Sequence, residues 1–66
     1  MAQLTEFGKA IKKKLIDINQ NQEWLIGEVK TKTDLYFDSS YLYKIMTGKA
    51  ETPKVVQAIR EILVLP

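Results

Sequence analysis

Four stretches of this chain space their apolar residues at intervals of three and four, and none alternates apolar with polar residues at every second position. That pattern admits helices and leaves no strand from which to build a sheet, so the expected fold class is all-α. Leu4, Phe7, Ile11, Leu15 and Ile18 mark a first helix from Thr5 to about Asn19, with Thr5 as a cap and Glu6 at the positive end of the dipole. Asn19-Gln20-Asn21 interrupts the pattern with amides that compete for backbone hydrogen bonds, and Asn21 is placed to cap a second helix opening at Gln22. That helix points Leu25, Ile26 and Val29 inward, and Gly27 in its middle hints at another backbone passing close by. A third helix is bracketed by its ends. Asp38 can accept from the backbone N–H groups that open it, and Gly48 can take the left-handed conformation that closes it, while Leu42, Ile45 and Met46 form one apolar stripe between them. Thr52-Pro53 reads as a cap followed by proline at the first position of a fourth helix, which runs to about Leu63.

Residues 30–37 fit no such pattern. Lys30-Thr31-Lys32-Thr33-Asp34 is polar and rich in β-branched threonine, so the second helix is expected to fray within it. Leu35 and Phe37 are expected in the core and Tyr36 partly exposed, with Phe37 packing back on the first turn of the third helix. The chain has 66 residues, near the lower limit at which one apolar core holds a fold. The expected architecture is therefore a compact bundle of four or five short helices forming a single domain over residues 1–66. The apolar face of the last helix, Val55, Val56, Ile59, Ile62 and Leu63, continued by Val64 and Leu65, is broader than a small domain needs. Such a surface is more often core than dimer interface, with a homodimer through the C-terminal helix and tail as the alternative.

Several classes of function fall away. With no cysteine and no histidine there is no disulfide, no thiolate or imidazole ligand, and no ready nucleophile or base. The carboxylates are scattered and no glycine-rich phosphate loop is present, so neither catalysis nor a metal or other cofactor is expected. No apolar run approaches the roughly 20 residues of a membrane span, and the N-terminal stretch lacks the apolar block of a signal peptide. A cytoplasmic location and no membrane partner are the expectation. The net charge of +2 is too mild to imply nucleic acid by itself. Placement says more: Lys30, Lys32, Lys44 and Lys49 surround the third helix, whereas Lys9, Lys12, Lys13 and Lys14 on the first read as well as a solvated face.

The outward side of the helix over 38–47 carries Ser39, Ser40, Tyr43, Lys44 and Thr47, a set of donors, acceptors, one ring and one cation without an acid. A helix anchored from behind and offering such groups forward suits the DNA major groove.

The succession Phe7-Gly8-Lys9, then Gln22-Glu23-Trp24-Leu25, then Ser39-Ser40-Tyr41-Leu42-Tyr43-Lys44-Ile45-Met46-Thr47-Gly48-Lys49, then the helix from Pro53 resembles the lambda-repressor-like, Cro-type helix-turn-helix domains of phage and mobile-element regulators. The resemblance covers nearly the whole chain. It implies double-stranded DNA as partner, with Ser39, Ser40 and Tyr43 on base edges and Gln22, Thr47 and Lys49 on phosphates. Lys44 belongs with the phosphate contacts as the cation beside Tyr43 and Thr47. In the family a tight turn of about four residues joins the second helix to the reading helix, often through a glycine. Here that interval is longer and Tyr36 stands in the glycine's place, so either the second helix is extended or residues 30–36 form a loop. On either alternative Lys30 and Lys32 are expected on adjacent phosphates.

The blander readings are that Ser39 and Ser40 merely assist the cap, that Tyr43 is a packed surface aromatic, and that Trp24 is a core or partner residue. A second function from another class is a protein-binding module, an antirepressor or adaptor gripping its partner through Trp24, Tyr36, Tyr41 and the apolar tail.

Overall fold

In the computed structural model, which describes residues 3–66, the chain folds into four α-helices, and no strand occurs among the described residues. They are α1 (Glu6–Asp17), α2 (Gln22–Thr33), α3 (Ser39–Met46) and α4 (Pro53–Leu63). α2 packs most extensively on α4 and α1 on α3, and the described residues fill an envelope of 30 × 24 × 21 Å. Ile11, Leu15, Leu25, Val29, Phe37, Leu42, Ile45, Met46, Val55, Ile59 and Leu63 make one core, each no more than 3% exposed. No described helix is long and apolar enough to cross a membrane.

The start and stop signals act where the residues place them. Thr5 Oγ1 accepts from Gly8 N at 3.1 Å, Asn21 Oδ1 from Trp24 N at 2.8 Å, and Asp38 Oδ1 from Tyr41 N at 2.8 Å. α1 ends in a Schellman turn with Asn19 left-handed at φ 58°, its N–H bonded to Ile16 O and that of Gln20 to Leu15 O. α3 ends the same way at Gly48, φ 81°. Thr52 precedes α4 as expected, but its hydroxyl pairs with Tyr41 Oη and does not cap.

Residues 30–37 depart from expectation. α2 does not fray. Thr31 Oγ1 donates to Gly27 O at 3.0 Å and Thr33 Oγ1 to Val29 O at 2.7 Å, so both threonines fold their hydroxyls back onto the helix and it continues through Thr33. Of the two alternatives for the long interval, the extended helix is the one found; Asp34 closes it in the left-handed region at φ 57°. Phe37 is in the core at 1% exposure, and its ring lies 5.0 Å from that of Tyr41 on the first turn of α3. Leu35, expected beside it, is 39% exposed, because one buried anchor is enough to bring so short a connection onto the bundle.

The close backbone approach is also elsewhere. Nothing lies within 4 Å of a Cβ added at Gly27, whereas one added at Gly8 would meet Met46 O at 2.2 Å. The surplus apolar face of α4 is mostly internal: Val55, Ala58, Ile59 and Leu63 are buried, and Val56, Ile62 and Leu65 pack against the core. Leu65 N returns to Arg60 O at 2.9 Å and Arg60 Nη1 donates to Pro66 O at 2.5 Å, turning the tail back and leaving Val64 as the exposed remnant.

Candidate functional site

α3 is fastened from behind and at both ends. Leu42, Ile45 and Met46 bury one side of it. At its exit Met46 O accepts from both Thr5 N at 3.0 Å and Thr5 Oγ1 at 3.1 Å, so the cap of α1 clasps the last carbonyl of α3 where the missing Cβ of Gly8 lets the helices meet. At its opening Tyr41 stacks on Phe37 and reaches Thr52 ahead of α4.

What remains free is the opposite side. Ser39, Ser40 and Lys44 are exposed and Tyr43 is 48% exposed. At about 100° per residue these four and Thr47 span an arc of roughly 140°. No acid lies within α3. Thr47 is half-buried, and its hydroxyl donates to Tyr43 O at 2.8 Å. The N–H groups of Gly48 and Lys49 are likewise taken, by Ile45 O and Lys44 O, so the helix exit offers an anion chiefly the exposed ammonium of Lys49.

The other expected phosphate contacts are dispersed. Gln22 is exposed at the opening of α2, where it shares a shallow concavity with Lys12, Ile16 and Gln20. Lys30 and Lys32, two positions apart, stand about 160° apart around α2. Lys32 turns to α4 and pairs with Glu61 at 3.2 Å, each side chain close to half exposed. Glu61 is held below the usual carboxylate range by the amide of Gln57 and then by Lys32. Lys30 is exposed and lies away from that pair.

Tyr36, expected to be partly exposed and named for a protein partner but not for the DNA surface, lies beside the opening of α3. It is 75% exposed, and its hydroxyl donates to Asp38 Oδ2 at 2.5 Å while Asp38 Oδ1 caps α3. The bond from Tyr36, then that from Tyr41 N, holds the Asp38 carboxyl below its ordinary range; the same bond and the adjacent negative charge push the Tyr36 phenol up. A groove of about 440 Å³ runs beside α3 between Tyr36, Asp38, Ser40, Lys44 and Lys49. The signal available in the sequence was an aromatic standing where a tight turn would need glycine. Among the described residues no three acidic, cysteine or histidine side chains gather where they could hold a metal. Compared with protein families, with curated proteins and with solved structures, the chain matches none of them.

Proposed function

We propose that α3 is a recognition helix and that the chain is a sequence-specific, double-stranded DNA-binding domain of the lambda-repressor-like, Cro-type helix-turn-helix kind, acting as a transcriptional regulator of phage or mobile-element type. The observation that carries this reading is the free, acid-free face of α3: Ser39, Ser40 and Tyr43 stand in the open while the side behind them is buried. Hydroxyls near a helix opening suit base edges, and Lys44 and Lys49 supply cations along the flank where phosphates would run. Lys30, exposed on α2, adds a further cation in this reading. Lys32 contributes less, since its charge is already met by Glu61.

The protein-binding alternative draws less support. Trp24 packs against the core, Tyr41 is tied to Thr52, and the tail is largely folded back, so its chief grip would be Tyr36.

Selection of bound sequences from a random duplex pool tests the proposal. A single enriched motif is expected, with affinity falling steeply as salt rises. Ser39→Ala and Ser40→Ala are expected to relax preference within the motif, and Lys44→Glu to weaken all sequences alike. Failure to enrich any motif, or salt-insensitive binding, overturns the reading.

A further inference from the structure

We infer that Tyr36 is a specificity-determining residue of this same surface, its ring meeting the C5-methyl group of a thymine at the edge of the bound site. The inference rests on the DNA reading of α3 and extends it to a residue outside that helix. Three observations carry it. Tyr36 is 75% exposed, although both its neighbours in the chain toward α3 are fixed, Phe37 at 1% exposure and Asp38 as the cap. Its hydroxyl is tied to the carboxylate whose other oxygen opens α3, so the ring is held in register with the first turn of the reading helix. It lines the groove that Ser40, Lys44 and Lys49 share, on the Ser40–Lys44 edge of the exposed arc.

The chemistry then narrows. With its proton already donated to Asp38, the hydroxyl has no donor left to read a base acceptor, and the largest surface the tyrosine offers a partner is its apolar ring. The one apolar mark in the major groove is the thymine methyl. A ring already held in place also loses little side-chain freedom on contact, which favours it as a contact residue. A purely structural role, stiffening the connection, would predict no dependence on any particular base.

The test takes the selected duplex and replaces its thymines one at a time with deoxyuridine, which removes only the methyl. The wild-type protein is expected to lose about three- to fivefold in affinity at one thymine near the edge of the motif, the size of one buried methyl group. Tyr36→Ala is expected to bind more weakly and to lose nothing further on that replacement, while Tyr36→Phe, which keeps the ring but gives up its tie to Asp38, is expected to bind somewhat more weakly than the wild type and still to respond to the replacement. Circular dichroism of both variants is expected to show the helix content of the wild type, and protection of the Tyr41 amide from exchange to show that α3 is still capped. If Tyr36→Ala responds to every replacement as the wild type does, or if Tyr36→Phe loses the methyl dependence, the inference fails although the motif stands. If the wild type enriches no motif, the reading of α3 falls and this inference with it.

Discussion

The two ends of α3 are held by different means. At its exit the contact is made on the backbone of α3: Thr5 N and the Thr5 hydroxyl both donate to Met46 O, with Gly8 set so close that no Cβ fits. At its opening the chain between α2 and α3 rests on one buried ring, Phe37, with Leu35 and Tyr36 outside and a surface hydrogen bond from Tyr36 to Asp38. The first joint fixes where the helix lies, and the second leaves residues free to be chosen for what they touch. The proposed base-reading residues Ser39 and Ser40 stand at the second.

The largest effect that would break this contrast is at Phe37. Phe37→Ala is expected to cost about 3–5 kcal/mol in chemical denaturation and Leu35→Ala less than about 0.5 kcal/mol. Equal costs would make the connection a core segment rather than a strap on a single anchor. Next comes Gly8→Ala, which drives a methyl into the Met46 carbonyl and is expected to cost about 1–3 kcal/mol or more. A silent Gly8→Ala would show that the exit of α3 yields as readily as its opening. Gly27→Ala, in an exposed helix interior with open space around it, should instead stabilise by about 0.5–1 kcal/mol, so the two glycines part in sign.

How far these features were legible follows from their range. Caps, the Gly48 exit and the apolar stripes are written within a few residues of where they act, and the helices begin and end close to their signals. The length of α2 was hidden because threonine reads as a breaker until its hydroxyl is seen bonded one turn back. The crowding at Gly8, the diversion of the Thr52 hydroxyl to Tyr41, and the pairing of Lys32 with Glu61 depend on what another helix brings alongside. No local pattern encodes that. Of the candidate site, the exposed face of α3 was read from spacing, whereas the tie between Tyr36 and the cap of α3 became visible only through its bond to Asp38.

The smallest effect sharpens the contrast by pH. The Asp38 carboxyl is depressed, so its cap contributes above the ordinary carboxylate pKa and is lost as pH falls through the lower folded value. The Tyr36 phenol is raised, so its donated bond persists through the ordinary phenol range and is lost only as pH climbs above it. Amide exchange at Tyr41 should lose protection on the acid side, and Tyr36 ring resonances should shift on the alkaline side with α3 still formed. Loss of α3 along with the phenol proton would mean that Tyr36, and not Asp38, holds the opening.

The clasp between Thr5 and Met46 joins positions 41 residues apart. Closing a loop of that length has an entropic cost on the order of 3 kcal/mol, which no contact within a single helix has to overcome. Turns within each helix can therefore form ahead of it, and the clasp closes only when the chain between Thr5 and Met46 has folded back on itself. The orientation of α3 is then a property of the finished molecule, set in part by a contact that α1 brings from far along the chain.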